Sequence, residues 1–285
     1  IRACFAWLYL FDFEENDSMR DISVDELKSI ELEMLKFIDE VCKKEGLRYF
    51  LCGGTLLGAV RHHGFIPWDD DIDIFMPRPD YEKLLHLMKE HPVYKILSDS
   101  DRGYYYNFGK LVDRRTLLIE QHVNSIDSMG IYVDIFPVDG MPESAAECDV
   151  HFEKLDRIRN KINGFSQERP HIRKNLLAYI RSWNLYIGNK KRSLSKEQIN
   201  YKREALLYEY DNSKNVFVTG GAYKKRDVFP KMWISEGTYL EFEGKKFCVP
   251  TQYDKYLKQL YGDYMKLPPK EKQVTHHMFK AYWKN

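Results

Sequence analysis

Apolar and polar residues alternate with two different periods along the first half of the chain, and each period predicts a type of element. After Ser23, apolar residues recur three and four positions apart up to Gly46, which predicts a helix. Residues 71–76 (DIDIFM) alternate every second position, which predicts a strand. Shorter strand-like runs lie at 47–52, 94–98, 108–113 and 131–136. This order of elements indicates an α/β or α+β domain built around a mixed sheet with flanking helices.

The second half of the chain has a mostly helical and locally basic pattern. Residues 153–203 contain 14 Lys or Arg against 4 Asp or Glu. A hairpin is predicted over 239–249, turning at Glu243 and Gly244, and a last helix over 252–260. We place a boundary near residue 142, which separates a core at 19–142 from a mainly helical C-terminal region at 143–285. Residues 1–18 are expected to be an upstream extension or a cloning-derived segment.

Composition and charge exclude several classes of protein. Hydrophobic residues make up 44% of the 285 residues and charged residues 31%, as in a globular protein with a sizeable core. The net charge of +1 excludes a globally basic nucleic-acid-binding protein, so we expect no nucleic-acid partner. No run approaches the about 20 apolar residues that cross a bilayer. The five cysteines form no disulfide or zinc pattern, which favours the cytoplasm.

The candidate chemistry begins with two aspartates on the predicted strand. Asp71 and Asp73 project from the same face because strand side chains alternate, while Ile72 and Ile74 point into the core. Two carboxylates this close repel each other, and a cation between them keeps both ionised. Oxygen-only ligands of this kind suit Mg²⁺ or Mn²⁺. We therefore predict a divalent-cation site here.

A third carboxylate on a later strand completes the predicted site. In residues 131–136 (IYVDIF), Ile131, Val133 and Ile135 share one face, and Asp134 is the charged residue on the other. Three carboxylates on adjacent strands can hold two ions about 3.5–4 Å apart and clamp an in-line phosphoryl displacement. Asp71, Asp73 and Asp134 are accordingly the predicted catalytic set.

A glycine pair before the acidic strand fits phosphate chemistry. Gly53 and Gly54 allow backbone N–H groups to approach a phosphate, and a helix that begins at Thr55 offers its positive end. Arg61, two turns along that helix, could supply a bidentate phosphate contact. An Asp-rich loop is more often a solvated turn, and that interpretation is the default for Asp69 and Asp70.

These residues together resemble a known family. Residues 53–76 (GGTLLGAVRHHGFIPWDDDIDIFM) are similar to the signature of the LicD family of bacterial phosphotransferases, which have the nucleotidyltransferase fold and are related to fukutin and fukutin-related protein. Residues 131–140 resemble the family's third-carboxylate segment, and 261–269 its C-terminal signature. The resemblance extends from about residue 23 to 282. It implies a nucleotidyltransferase-like catalytic core at 19–142, with the C-terminal region completing the active site.

The resemblance implies a reaction and further site residues. Phosphocholine or a similar alcohol phosphate would pass from a CDP-linked donor, such as CDP-choline, to a sugar hydroxyl of a cell-surface glycan precursor, free or lipid-linked, with release of CMP. Such precursors include those of teichoic acid and lipopolysaccharide. Asp69 would join the three predicted carboxylates as a ligand of Mg²⁺ or Mn²⁺, with two ions expected. Gly54 and Thr55 would contact the donor diphosphate, and Lys110 would neutralise charge on the leaving CMP. His276 matches a family position.

Some alternatives stay open from the sequence. A nucleotidyltransferase that moves NMP from an NTP shares the same ligands, and a non-catalytic glycan- or choline-binding protein could keep the fold. Trp68 and residues 104–106 (YYY) could surround a choline ammonium or form ordinary core. The basic region 153–203 could face anionic lipid at the inner side of the membrane or consist of solvated helices. The oligomeric state is not predicted.

Overall fold

The computed structural model describes residues 19–89, 91–170, 176–275 and 278–284. Its α-helices are α1 (Val24–Glu45), α2 (Gly53–Arg61), α3 (Arg78–Leu87), α4 (Ala145–Asn163), α5 (Leu176–Lys190), α6 (Leu194–Ala205) and α7 (Tyr253–Tyr261). Short 3-10 turns occupy Gly164–Ser166, Lys224–Asp227, Lys231–Ile234 and Lys270–Lys272. The predictions for residues 1–18 and for His276 lie outside the described residues.

Twelve strands are found in the described part of the chain. They are β1 (Arg20–Asp21), β2 (Phe50–Leu51), β3 (Asp73–Pro77), β4 (Tyr94–Leu97), β5 (Gly109–Asp113), β6 (Thr116–Glu120), β7 (Tyr132–Met141), β8 (Asn215–Val218), β9 (Val228–Pro230), β10 (Gly237–Phe242), β11 (Lys245–Pro250) and β12 (Phe279–Trp283). The predicted hairpin at 239–249 is confirmed as β10 and β11, with Glu243 and Gly244 both at positive φ in the turn.

A seven-stranded mixed sheet forms the centre of the fold. Its order is β2-β3-β7-β5-β4, and β8 and β9 continue it beside the second half of β7. Strands β3 and β7 are parallel, whereas the other neighbours are antiparallel. The predicted mixed α/β architecture is therefore confirmed. Because β8 and β9 come from beyond residue 142, the second half of the chain adds strands to the sheet of the first half.

The apolar faces of β3 and β7 pack in the core as the alternation predicts. Ile74 on β3 is fully buried, and so are Ile131 and Val133 at the start of β7. Helix α1 packs against β7 and buries the stripe of Leu27, Met34 and neighbouring residues. This packing covers one side of the sheet and leaves the acidic start of β3 directed towards a cleft.

Candidate active site

Two aspartates lie side by side where β3 begins. Asp73 on β3 pairs in register with Asp134 on β7, so the two Cα atoms are direct neighbours across parallel strands. The Asp134 N–H donates a hydrogen bond to the Ile72 carbonyl at 2.9 Å, which extends the ladder by one residue. The structure thus brings together two carboxylates that are 61 positions apart in the sequence.

The start of α2 is joined to the start of β3 by two hydrogen bonds. The Asp73 N–H donates to Thr55 Oγ1 at 2.8 Å, and the Cys52 N–H donates to the Asp73 carbonyl at 3.1 Å. Thr55 itself is buried. Its hydroxyl therefore positions Asp73, and Thr55 is not among the residues that line the cleft. The predicted contact of Thr55 with a donor stays a prediction.

Two glycines are required at the first turn of α2 because carboxylates lie against it. Gly53 has a φ of +52°, and a Cβ there would lie 3.0 Å from Asp73 Oδ2. A Cβ at Gly54 would collide with a carboxylate oxygen of Asp69. The side chain of Cys52, the N-cap residue, makes no capping hydrogen bond. The positive end of α2 is thus close to two carboxylates of the acidic segment.

A cleft of about 980 Å³ opens beside these residues. Segments 52–73, 218–227 and 256–269 contribute most of its lining, together with Phe136. Of the predicted site residues, the cleft is lined by Gly53, Gly54, Arg61, Trp68, Asp69, Asp71 and Asp73. Asp134 is mostly buried behind Asp73. A volume of this size accommodates a ligand with several groups.

Lys110 contacts Asp134 inside a box of aromatic rings. Its Nζ donates to Asp134 Oδ1 at 2.7 Å and lies 3.4 Å from the ring centroid of Tyr132. The rings of Tyr106 and Phe108 are 4.7 and 5.3 Å away. Lys110 is 2% exposed, so its charge is compensated by one carboxylate and by cation–π contacts. The lysine acts on the cleft through Asp134.

Crowded carboxylates raise the proton affinity of Asp73. Burial raises the pKa of Asp73 well above its usual range, and the charges of Asp71, Asp134 and Asp69 raise it further. Lys110 acts in the opposite direction. A protein that keeps Asp73 ionised at neutral pH needs additional positive charge at this place, which a bound cation would provide.

The carboxylate oxygens beside the cleft are ligands of the kind that hard divalent cations prefer. In the described ranges, no three His, Cys, Asp or Glu side chains are arranged to hold a metal ion by themselves. Mg²⁺ commonly takes only one or two protein carboxylates and completes its coordination with waters and substrate phosphates. Asp69, Asp71 and Asp73 along the cleft are suitable for that role. The predicted ligation of Mg²⁺ or Mn²⁺ by these residues and Asp134 remains a proposal.

Arg61 joins the end of α2 to the C-terminal signature. Its guanidinium donates to the Tyr264 carbonyl at 2.8 Å and lines the cleft. Burial lowers the pKa of Arg61, and the guanidinium remains a cation at neutral pH. Arg61 is therefore placed to hold residues 263–269 over the cleft and to present positive charge to a ligand.

The predicted aromatic cage is only partly present. Trp68 lines the cleft, whereas residues 104–106 do not. Tyr104 and Tyr105 are buried in a second hydrophobic cluster, and the Tyr104 hydroxyl donates to the Phe108 carbonyl at 2.8 Å. The core interpretation of the tyrosine triplet is therefore correct. Two other aromatic residues, Tyr223 and Tyr261, line the cleft, and their hydroxyls are 2.6 Å apart.

One buried carboxyl near the site was missed in the sequence. Glu31 on α1 is 3% exposed, and its Oε2 has no hydrogen-bond partner among the described residues. Burial raises its pKa well above the usual range, and the charges of Asp71, Asp70 and Asp134 raise it further. The signal was available, because position 31 falls four residues after Leu27, on the apolar stripe of the helix.

A second missed carboxyl lines the cleft. Asp227 is 3% exposed and accepts a hydrogen bond from the Tyr223 N–H at 2.7 Å. Burial raises the pKa of Asp227 to about 7, although the Tyr223 N–H and Arg159 act against that shift. The sequence around it (KKRDVF) has no alternation or motif that separates this residue from a solvated turn.

A mixed sheet carries paired aspartates on parallel strands beside a glycine-initiated helix, which is compatible with the nucleotidyltransferase-like core that the sequence motifs imply. A family model described as LicD/FKTN/FKRP, nucleotidyltransferase domain, matches residues 46–161. The chain is also 31% identical to the lipopolysaccharide cholinephosphotransferase LicD of Haemophilus influenzae, over 93% of this chain and 99% of that protein. The chain belongs to the LicD family, as the sequence motifs predicted.

Two further relatives match over shorter lengths. An uncharacterised protein of Rickettsia prowazekii is 31% identical over 48% of this chain and 49% of its own length. The human ribitol 5-phosphate transferase FKRP is 48% identical over 42 residues, which are 15% of this chain and 8% of that protein. No described helix is long and apolar enough to span a bilayer.

Proposed function

We propose that the protein transfers phosphocholine, or a similar alcohol phosphate, from a CDP-linked donor to a sugar hydroxyl of a cell-surface glycan precursor. The observation that carries this proposal is the pairing of Asp73 with Asp134 beside the cleft that Asp69 and Asp71 line. Membership of the LicD family supports the choice of phosphocholine, as does the name of the Haemophilus cholinephosphotransferase, which the chain matches over nearly its whole length.

The proposed step is a single in-line displacement at phosphorus. The acceptor hydroxyl oxygen forms a bond to the phosphorus that carries the alcohol. The bond from that phosphorus to the bridging oxygen breaks, and CMP leaves with the electron pair. The hydroxyl proton passes to a base or to solvent. Positioning and charge neutralisation supply most of the catalysis in reactions of this kind.

The residues around the cleft have distinct roles in this proposal. The N–H groups at the start of α2 and the Arg61 guanidinium face the anionic donor. Lys110 neutralises Asp134 from behind, which moderates the repulsion between Asp134 and Asp73. A Mg²⁺ ion held by Asp69, Asp71, Asp73 and Asp134 would supply neutralisation of phosphate charge.

Two carboxylates are candidates for the proton acceptor. Asp134 adjoins Asp73, but its Oδ1 already accepts a hydrogen bond from Lys110. Asp227 lines the cleft directly, and its pKa of about 7 suits proton transfer near neutral pH. If the Asp227→Asn variant loses the acidic limb of the pH–rate profile, Asp227 is the base. If the profile is unchanged, Asp134 remains the candidate for the base.

The test is donor turnover with a panel of CDP-alcohols. CDP-choline, CDP-ethanolamine, CDP-glycerol and CDP-ribitol are incubated with Mg²⁺ and glycan acceptors, and CMP is measured. Asp73→Asn should lower CMP release by about 100-fold or more, because it removes charge that faces the reacting phosphates. Asp149→Asn is the matched control, because Asp149 is exposed and pairs only with exposed Lys225 among the ion pairs described.

The alternatives give different products. Release of pyrophosphate from an NTP, with no CMP from any CDP-alcohol, assigns nucleotidyl transfer instead. Binding of glycan or choline without turnover, unchanged in Asp73→Asn, assigns a binding protein. Either result contradicts the proposed reaction.

A further inference from the structure

Helix α5 exposes large apolar side chains along most of its length. The exposed fractions are 66% for Leu176, 78% for Leu177, 47% for Ile180, 54% for Leu185 and 46% for Ile187. Single exposed apolar residues are normal on a protein surface, but on this 15-residue helix Leu177 lies beside a row formed by Leu176, Ile180 and Ile187, so the four form a patch. Patches of this kind mark binding surfaces.

The apolar side chains follow the helical repeat. Leu176, Ile180, Trp183 and Ile187 are spaced by four, three and four residues, so they form one stripe along a helix about 22 Å long. Tyr179 and Tyr186 flank the stripe, and their rings make edge contacts with Trp183 at 6.3 and 5.7 Å. Trp and Tyr beside aliphatic residues are typical of side chains at a membrane–water interface.

The charged residues in the sequence in and around α5 are all basic. From residue 169 to 196 the sequence contains no Asp or Glu, and its Lys and Arg residues are Arg169, Arg173, Lys174, Arg181, Lys190, Lys191, Arg192 and Lys196. The Arg169 guanidinium lies 5.3 Å from the Trp183 ring, and Lys190 Nζ lies 5.4 Å from the Tyr186 ring. Basic groups therefore border the apolar surface directly.

The rest of the molecule covers little of this helix. Its principal packing partner is the 3-10 turn Gly164–Ser166, to which the Asn189 side-chain amide donates a hydrogen bond at the Gly164 carbonyl. The contact lies at the C-terminal end of α5. The apolar stripe therefore faces solvent. Exposing apolar surface to water is unfavourable in free energy, and a binding partner that covered the stripe would remove that cost.

We infer that α5 is a membrane-docking helix that lies in the headgroup region of an anionic bilayer. Its apolar stripe enters the acyl boundary, and its Lys and Arg residues contact anionic headgroups. A second copy of the chain is a poorer occupant, because symmetric association through α5 would place two basic segments against each other. This inference is independent of the proposed reaction and predicts that the enzyme works at a membrane surface.

Vesicle sedimentation tests the inference with two matched double variants. Leu176→Gln with Ile180→Gln changes the apolar stripe of α5, and Leu207→Gln with Ile199→Gln changes a Leu and an Ile that are each 58% exposed outside α5. Vesicles consist of phosphatidylcholine alone or of equal parts phosphatidylcholine and phosphatidylglycerol. The unchanged protein should sediment with the anionic vesicles, and less of it should do so as salt is raised. The α5 variant should bind at least tenfold more weakly.

Thermal unfolding and light scattering complete the experiment. Both variants should unfold at the temperature of the unchanged protein, because the replaced side chains are exposed. Equal vesicle binding by the α5 variant and the unchanged protein overturns the inference, as does equal binding to neutral and anionic vesicles. A dimer that the α5 substitutions dissociate, without vesicle binding, overturns it in favour of a second copy.

Discussion

Lys110 and Asp134 form an ion pair that is almost completely removed from water. The side chains of Lys110 and Asp134 are 3% and 11% exposed, and the lysine is surrounded by aromatic rings. Removing one partner of such a pair leaves a buried charge without compensation, which commonly costs about 3–5 kcal/mol. The pair therefore affects stability as well as the charge of the site.

Lys110→Met is expected to lower the free energy of unfolding by about 3 kcal/mol or more, because the buried Asp134 carboxylate loses the positive charge that Lys110 provides. The double variant with Asp134→Asn should recover much of that loss, because it removes the uncompensated charge. Urea unfolding of the two single variants and the double variant measures the coupling. Additive losses would contradict the ion-pair explanation.

Asp227 should make stability depend on pH. Its ordinary pKa is near 3.8 and burial raises it to about 7 in the folded protein. Below about pH 4 the Asp227 carboxyl is protonated in both the folded and the unfolded protein. Its raised pKa then has no effect on the free energy of unfolding. As pH rises to 7, the unfolded chain ionises first, so the folded state loses stability, by about 1.4 kcal/mol for each unit between the two pKa values.

Asp227→Asn removes this titration while keeping an oxygen that accepts from the Tyr223 N–H. The melting temperature of the variant should exceed that of the unchanged protein by an amount that grows as pH rises from 4 to 7. Above pH 7 the difference should level off. Calorimetry across this range measures it. A difference that is constant with pH would show that the Asp227 carboxyl has an ordinary pKa.

At the scale of elements, local patterns predicted most of the sheet. The runs at 94–98, 108–113 and 131–136 became β4, β5 and β7, and the helix predicted after Ser23 is α1, with Ser23 as its N-cap. Ser23 and Glu26 have the spacing of a capping box, but only half of the box forms, because the Glu26 carboxylate pairs with Arg20 instead of returning to Ser23. The tertiary contact provides a stronger partner for the carboxylate than the backbone N–H.

Other elements depend on contacts that a local pattern does not contain. Strand β6 was not predicted, and it pairs with β12 from the end of the chain. The strand that pairs with its sequence (TLLIE) lies far along the chain, beyond any local pattern.

The glycine pair at the start of α2 affects how two elements pack together. One added methyl group there would change the geometry between the helix and the acidic segment. Gly54→Ala should displace Asp69 and reduce CMP release from the CDP-alcohol donor by about tenfold or more, since small displacements of catalytic groups are costly. The fold should persist, because Ala is the better helix former by about 1 kcal/mol.

Gly188→Ala is the matched control for that substitution. Gly188 lies in α5, and a Cβ there meets nothing within 4 Å. Activity should be unchanged and the melting temperature equal or higher. Equal activity in both alanine variants would show that the contact between Gly54 and Asp69 has no influence on turnover.

At the scale of the whole molecule, the cleft depends on contacts between distant parts of the chain. Arg61 and Tyr264 are 203 residues apart, and Glu243 accepts from the Phe65 N–H across 178 residues. The motifs at 53–76 and 261–269 could be found in the sequence, but their contact could not, because no local period encodes it. Asp227 was missed for the same reason, because only the folded chain places it at the cleft. Glu31 differs, because its position on the apolar stripe of α1 was visible in the sequence.

The hydrogen bond between Arg61 and Tyr264 therefore joins the C-terminal segment to the cleft, where the proposed donor would bind. Arg61→Met should raise the KM for the CDP-alcohol donor by about tenfold or more, because a hydrogen bond from a charged donor contributes about 1.5–3 kcal/mol. Steady-state kinetics with CDP-choline measure it. Arg114→Met is the control, because exposed Arg114 also donates to a carbonyl, that of His91, and does not line the cleft. Equal KM values in the two variants would mean that residues 263–269 are held in place without Arg61.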